Sequence, residues 1–237
     1  MSLIEATIIL MILFLLTAVL SPAVSDYVND ARQTKGKEDV EAIGTSILRL
    51  LRDTGLPFPV LAAGATPART AANRVDLFVS DGNPPSKIAG TGVASAGTGY
   101  IITANREWDD TDGSGDNIAN MNAHLAYNTV DANGLTTTYT LVTFPAAGGP
   151  RVGLGWRGAY LTGPIGPDPW GNRYASNTVF LNPSSDATVT GSNFDAFVLS
   201  AGADGNVSTD MEGNGLASGG TTAMGDDLIY VMTGSTR

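Results

Sequence analysis

The feature that most constrains the fold of this chain is an uninterrupted apolar segment at its amino terminus. Residues 6–25 contain no charged side chain and are rich in isoleucine, leucine and valine. As an α-helix rising about 1.5 Å per residue, about nineteen such residues extend roughly 28 Å, close to the ~30 Å thickness of a bilayer's hydrocarbon core. A helix that is apolar on every side needs lipid or an apolar helix bundle around it. The segment therefore predicts a helix that is covered by something other than its own chain.

A single carboxylate, Glu5, lies at the amino-terminal edge of this segment. A charge at membrane depth costs on the order of a few kcal/mol unless it is paired. A secretory signal peptide would place Lys or Arg before a shorter apolar core, so this class fits poorly. An ordinary membrane anchor fits the length, but it leaves Glu5 as an isolated carboxylate at the headgroup boundary.

The helical pattern continues beyond the apolar segment and ends at a clear signal. Pro22 removes one backbone hydrogen bond, which predicts a kink or local melting near residues 18–22. Farther on, apolar residues recur at the helical period, at Val40, Ile43, Ile47, Leu50 and Leu51. Gly55 with prolines beyond it is typical of a helix end. Residues 1–54 are thus predicted as one long helix, with a membrane-type half (1–25) and an amphipathic half (26–54).

The remaining residues, 55–237, predict a globular β-rich domain. The chain has 29 glycines and 12 prolines, and short apolar runs at residues 75–79, 100–102 and 139–144 are separated by turn-forming clusters. Its net charge of −10 argues against nucleic acid as a partner, because binding phosphates requires basic patches. With no cysteine, the chain can form neither a disulfide nor a thiolate nucleophile.

Signals for enzymatic activity are poor. His124 is the only histidine, and its setting among Asn and Ala predicts a surface position. Residues 153–158 match G-x-G-x-x-G, but no helix start follows them, so the context of a dinucleotide site is missing. Pairs of Asp and Glu could hydrolyse a glycoside, but the sequence places no two of them at the required distance. We therefore predict that the protein is not an enzyme.

Several motifs resemble those of the type IV pilin family, which includes the major pseudopilin of type II secretion. Residues 3–5, the uncharged run and Pro22 are similar to the mature amino terminus of that family, whose cleaved and methylated first residue corresponds to Met1. Residues 156–161 (W-R-G-A-Y-L) and 168–174 (D-P-W-G-N-R-Y) resemble two stretches of the major pseudopilin. The resemblance covers residues 1–55 and 151–230 and leaves 56–150 as an insertion within the globular domain.

The resemblance implies an α+β fold and a mechanism of assembly. The long helix, kinked or partly melted near Pro22, would pack on a carboxy-terminal antiparallel sheet that carries a long loop, within a pseudopilin-like part at 151–237. Helices of many copies would bundle, with Glu5 of one copy paired to the Met1 amine of another. Such pairing makes a buried charge tolerable and fixes the register. The D-P-W-G-N stretch itself predicts a structural turn anchored by Trp170.

The predicted loop from Leu199 to Leu228 is long and rich in glycine, and such a loop is either functional or disordered. Calcium takes six to eight oxygen ligands at about 2.3–2.6 Å. The resemblance implies a calcium ion held by Asp204, Asp226 and Asp227, with Leu199 and Ser200 as further oxygen donors. The insertion within the loop adds Asp210 and Glu212 as candidates, and the alternative is a solvated acidic loop.

A weaker metal candidate lies in the 56–150 insertion. Asp110, Asp112, Ser114 and Asp116 occupy positions 1, 3, 5 and 7 of half an EF-hand loop. Position 12 is Met121 rather than Glu, so the bidentate ligand is missing and a solvated turn is the better interpretation.

The function implied by the resemblance is that of a structural subunit, the major pilin of a type IV pilus-like bacterial filament at the cell surface. This homopolymer would be drawn from subunits stored in the inner membrane, with prepilin peptidase and the assembly machinery as further partners. One alternative is the major pseudopilin of a type II secretion system, with a periplasmic filament. Another, of a different class, is a membrane-tethered binding or adhesion module whose helix is only an anchor.

Overall fold

In a computed structural model of the 237-residue chain, residues 2–56, 59–60, 75, 77–87, 94–95, 99–100, 118–129, 139, 154–181, 196–209 and 225–233 are described. Within them, a long amino-terminal helix packs on a five-stranded sheet, as the α+β prediction requires. Several predicted site residues lie outside these ranges, namely Met1, Asp110, Asp112, Ser114, Asp116, Asp210 and Glu212.

The helix, α1, spans Leu3–Thr54 without interruption. It ends at Gly55, whose φ of 66° is left-handed and whose N–H donates a 2.8 Å hydrogen bond to the carbonyl of Leu51. Pro22 lies inside the helix, so the local melting expected near residues 18–22 is absent from this single chain. A proline removes only one helical hydrogen bond, and the turns on either side keep theirs.

The two halves of α1 differ in what covers them. From Leu3 to Val28 the large apolar side chains are exposed, whereas Val40, Ile43 and Ile47 are buried against the sheet. Gly36 and Gly44 are also buried and face side chains of the last strand. The predicted amphipathic stripe is therefore confirmed, and it attaches the globular part to the distal half of α1.

The main sheet has five strands, β1 (Leu77–Val79), β5 (Ile118–Asn120), β6 (Ala175–Ser176), β7 (Ala196–Ser200) and β9 (Leu228–Thr233). Their order across the sheet is β5-β1-β6-β7-β9. Two small ribbons add β2 (Ser86–Lys87) with β8 (Asn206–Val207), and β3 (Ala94–Ser95) with β4 (Gly99–Tyr100). A π-helical turn, Ala123–Tyr127, and a 3-10 turn, Thr178–Leu181, complete the described elements.

The sheet is mixed, so the prediction of an antiparallel sheet is only partly right. The pairs β1–β6, β6–β7 and β7–β9 are antiparallel, but β1 and β5 run parallel. A parallel pair needs a crossover connection of about a dozen residues or more, and the chain between Val79 and Ile118 supplies one. The α1 helix lies over β7 and β9, and Ile47, Leu50, Phe197 and Leu199 all belong to the buried apolar core.

Candidate assembly helix and carboxylate-closed loop

The amino-terminal half of α1 presents an apolar surface that the described chain does not cover. Large apolar side chains there range from 40% exposed at Val28 to 83% at Leu3. By length and composition, α1 is long and apolar enough to cross a membrane. An apolar surface of this extent on one helix requires lipid or other helices around it.

Glu5 caps the helix that carries it. Its Oε2 accepts a 2.8 Å hydrogen bond from the N–H of Ser2, the residue at the N-cap position. This contact satisfies an amide that a helix start would otherwise leave unpaired, and the helix dipole favours the negative charge there. The predicted partner, the Met1 amine of another copy, lies outside the described residues and belongs to a second chain, so that pairing stays a prediction.

The D-P-W-G-N stretch forms the predicted turn, in which Asp168, the first residue, accepts the side-chain hydrogen bonds. Asp168 is buried, and its Oδ1 accepts hydrogen bonds from the N–H groups of Trp170 (3.0 Å) and Asn172 (2.8 Å). Its Oδ2 accepts a 2.7 Å hydrogen bond from the hydroxyl of Ser200 in β7. Gly171 has a φ of 96°, a conformation that glycine adopts without strain. The turn is thereby attached to the start of the predicted calcium loop.

Asp226 closes the first turn of that loop. Its Oδ2 accepts hydrogen bonds from the N–H groups of Ala203 (2.6 Å) and Asp204 (2.9 Å). Gly202, with a φ of 65°, has no room for a side chain, because a Cβ there would lie 2.3 Å from the Asp226 carbonyl oxygen. Asp204 in turn accepts a 2.7 Å hydrogen bond from the N–H of Asn206.

Asp227 holds the next part of the loop in the same way. Its Oδ2 accepts hydrogen bonds from the N–H groups of Ser208 (2.9 Å) and Thr209 (2.6 Å). Its other oxygen, Oδ1, is buried without a hydrogen-bond partner. Burial raises the pKa of this carboxyl group, and the hydrogen bonds from Thr209 and Ser208 oppose that shift.

The predicted calcium ligands are thus brought to one end of the loop, but their known contacts are with the protein itself. Asp226 and Asp227 bind backbone N–H groups, Ser200 donates to Asp168, and Leu199 pairs with Ala175 and Ile229 in the sheet. Among the described residues, no group of three or more His, Cys, Asp or Glu side chains is placed to hold a metal. The buried Oδ1 of Asp227, which has no hydrogen-bond partner, is an oxygen that fits a cation.

His124 is buried, so the prediction of a surface position is wrong. Its Nδ1 lies 2.9 Å from the hydroxyl of Tyr139, and its ring centroid is 4.8 Å from that of Phe78. Burial lowers the pKa of His124 to about 3, which keeps the ring neutral at physiological pH. The π-helical turn that points this side chain inward has no signature that the surrounding Asn and Ala residues would reveal.

The chain matches no protein-family model, and no curated protein and no solved structure matches it significantly. Its function must therefore be inferred from the helix and the loop themselves.

The sequence did not reveal the role of Asp168 as the residue that joins turn and loop. An Asp whose carboxylate accepts the N–H two residues later is a recognised turn motif, and this local signal was available at Asp168 and Trp170. Its bond to Ser200 depends on the sheet and has no local signal.

Proposed function

We propose that the protein is the major pilin of a type IV pilus-like extracellular filament and that it polymerises through α1. The observation that carries this proposal is the exposed apolar half of α1, from Leu3 to Val28, on a helix whose distal half is fixed to a globular domain. A bundle of such helices covers this surface and leaves the domains outside, where their acidic surface meets water. The subunit would wait in the inner membrane, where lipid covers the same surface until assembly.

The charge of Glu5 supports assembly over simple anchoring. In a bundle, Glu5 can accept a hydrogen bond from the protonated Met1 amine of a neighbour while its contact with the Ser2 N–H holds the carboxylate in place. A paired charge in an apolar bundle is tolerable and specifies one register, because a slipped neighbour leaves the charge unpaired. In a lipid anchor the carboxylate would still cap the helix start, but no positive charge would be paired with it.

A periplasmic pseudopilus of type II secretion is the second candidate, and the D-P-W-G-N turn around Asp168 favours it. The 56–150 insertion favours the pilus, since a large polar addition suits a surface that meets solvent and partners. Shearing of intact cells separates the two, because only a surface filament is released into the medium.

Substitution of Glu5 tests the assembly mechanism. In cells that express the processed protein with its peptidase and assembly machinery, we expect Glu5→Ala to abolish filaments while the membrane level of the subunit is unchanged. Glu38→Ala, which removes another exposed carboxylate of α1, is the matched control and should leave filaments intact. Normal filaments from Glu5→Ala would refute the mechanism. Absence of filaments from the unsubstituted protein, with retained surface binding, would instead identify a tethered binding module.

We also propose that calcium binds at the carboxylate-closed loop, with Asp227 Oδ1 as its central ligand. A buried carboxylate oxygen with no donor is an unsatisfied group that a cation would neutralise. Asp204 and Asp226 lie on the neighbouring turn and are the candidates to share the ion. We expect the melting temperature to be higher in about 1 mM calcium than in EGTA. In Asp227→Asn the two melting temperatures should be equal. Equal melting temperatures for the unsubstituted protein in calcium and in EGTA would exclude the site.

A further inference from the structure

The strand β8 carries the one stretch of the sequence that has the pattern of an N-glycosylation acceptor. Asn206, Val207 and Ser208 match Asn-x-Ser/Thr, in which x is any residue except proline. Asn182 comes nearest to a second match, but the proline that follows it excludes that position. A three-residue pattern also occurs by chance, so the structure around Asn206 must decide whether the site can be used.

The two polar side chains of the pattern lie on the same side of the chain. Val207, between them, is buried and only 1% exposed, whereas Asn206 and Ser208 are both partly exposed. Successive residues of a strand face opposite sides, so Asn206 and Ser208 face solvent together. A Cβ at Gly225 would lie 3.0 Å from Ser208 Oγ, so glycine at that position leaves room beside the hydroxyl. One enzyme site can therefore take the amide and bind the hydroxyl at the same time.

Carboxylates of the closed loop hold the backbone at this site and leave the Asn206 side chain available. Asp204 Oδ1 accepts a 2.7 Å hydrogen bond from the N–H of Asn206, and Asp227 Oδ2 accepts a 2.9 Å hydrogen bond from the N–H of Ser208. The side-chain amide of Asn206 donates an exposed 3.2 Å hydrogen bond to the carbonyl of Asp204. An exposed bond of this kind exchanges with water at little cost. The acceptor nitrogen is thus presented on a fixed turn and can leave its present partner.

Contacts between β9 and α1 place this site at the end of the domain that is nearer the apolar half of α1. A Cβ at Gly36 would lie 2.6 Å from Leu228 Cδ1, and from there β9 runs toward the carboxy-terminal end of the helix. Leu228 directly follows Asp227, which binds the Ser208 N–H. The apolar segment ends at Ser25, about 16 Å before Gly36 at about 1.5 Å per residue. In a membrane-stored subunit, the site therefore lies near the headgroup layer, where a lipid-linked donor presents its sugar.

We propose that Asn206 is a glycosylation site, modified by a membrane-bound oligosaccharyltransferase whose donor is a sugar linked to a polyprenyl diphosphate. This inference rests on the proposed function in one respect, the storage of the subunit in the inner membrane with its domain outside the cytoplasm. It does not require the filament itself.

The transfer exchanges one bond for another and needs no oxidant or reductant. Asn206 Nδ2 forms a bond to the anomeric carbon of the sugar, and the bond from that carbon to the phosphate oxygen breaks. The lipid diphosphate leaves with the bonding electrons, and the amide nitrogen gives up one proton to a base of the transferase. The hydroxyl of Ser208 positions the acceptor and takes no part in the bonds that change.

Mass spectrometry of the protein from the membranes and the filaments of its own cells tests this site. We expect a digest to contain the peptide of Asn206 with the added mass of whole sugar residues, and the peptide of Asn83 without it. Asn83 is also exposed, but two prolines follow it, so it is an internal control. Unmodified Asn206 in both fractions would overturn the inference.

Two substitutions at Ser208 form a matched pair. Ser208→Ala removes the hydroxyl and should lose the added mass, whereas Ser208→Thr keeps a hydroxyl and should retain it. Both variants keep the backbone N–H that Asp227 binds, so equal melting temperatures are expected and would exclude misfolding as the cause of the loss. Asn206→Gln should also lose the added mass. Persistence of that mass in Ser208→Ala or in Asn206→Gln would place the sugar elsewhere and overturn the site.

The outcomes separate this inference from the proposed function. Filaments whose Asn206 is unmodified would overturn the glycosylation site and leave polymerisation through Glu5 intact. A modified Asn206 on a membrane protein that forms no filaments would overturn the polymer and support the site.

Discussion

Gly44 on α1 lies so close to Tyr230 of β9 that a Cβ at position 44 would be 2.4 Å from Cδ1 of the tyrosine ring and 2.7 Å from Cε1. This contact is one of the places where the helix and the sheet approach most tightly. Helical glycine costs about 1 kcal/mol relative to alanine, and here the close approach of the tyrosine ring offsets that cost.

We expect Gly44→Ala to destabilise the globular part by about 1–2 kcal/mol. Overpacking a filled site costs typically 1–3 kcal/mol, and the higher helix propensity of alanine returns up to about 1 kcal/mol. Chemical denaturation of the detergent-solubilised protein measures the difference. Gly163→Ala is the matched control, since a Cβ there would meet no atom of the described residues within 4 Å, and it should not destabilise the protein. Greater stability of Gly44→Ala would contradict the packing argument.

Asp168→Ala should lower the free energy of unfolding by about 2–3 kcal/mol. The substitution leaves the buried hydroxyl of Ser200 and the partly buried N–H groups of Trp170 and Asn172 without their acceptor, and an unsatisfied group costs about 1–3 kcal/mol when it is fully buried and less when water can reach it. Asp168→Asn keeps an acceptor for the two amides and should cost less than half as much. Equal losses from the two variants, measured by denaturation, would show that the charge rather than the hydrogen bonds matters.

Because His124 is buried as a neutral ring, we expect the folded protein to lose stability in acid. The folded-state pKa is lowered to about 3 from an ordinary value of 6.5, so only the unfolded chain takes up a proton between these values. The stabilising contribution of the neutral ring is therefore present above pH 6.5 and declines as the pH falls toward 3, by at most about 1.4 kcal/mol per pH unit. In His124→Gln this decline should be absent. The check is the difference in unfolding free energy between the two proteins at pH 7.5 and pH 4.5.

For Asp227 we expect the free energy of unfolding to depend on pH in the opposite direction. Burial raises its folded-state pKa above the ordinary value of 3.8, so the folded chain holds a proton more tightly than the unfolded chain does. In EGTA, its contribution to stability is therefore largest in acid and declines as the pH rises above about 4. Relative to Asp227→Asn, the unsubstituted protein should lose stability between pH 4 and pH 7. A constant difference across this range would mean that the carboxylate is as well solvated as in the unfolded chain.

Local patterns predicted those parts of the fold that depend on neighbours in sequence. The stripe of Val40, Ile43 and Ile47, the stop at Gly55 and the turn at Asp168 each follow from residues within a few positions of one another. Helical period, capping and turn chemistry act over that range, so these elements can be derived without knowing the rest of the chain.

The other parts of the fold depend on contacts between residues that are far apart in the sequence. The bond from Tyr174 to Asp39 joins residues 135 positions apart, and the one from Ser200 to Asp168 joins residues 32 apart. The parallel pairing of β1 with β5 and the burial of His124 also depend on which segments meet in the sheet. Such pairings carry no local signature, which is why the parallel pair within the sheet and the burial of the histidine were not predicted.

The way in which Asp226 and Asp227 fasten the loop has a consequence for where the protein can fold. The two carboxylates accept hydrogen bonds from successive backbone N–H groups. Unlike a disulfide, these bonds form without an oxidant or an isomerase, and reductants do not break them. No redox reaction is needed for this fastening, so the same domain can mature in a reducing or an oxidising compartment. Among these two carboxylates, Asp227 makes the stability of the domain depend on pH, and neither makes it depend on redox potential.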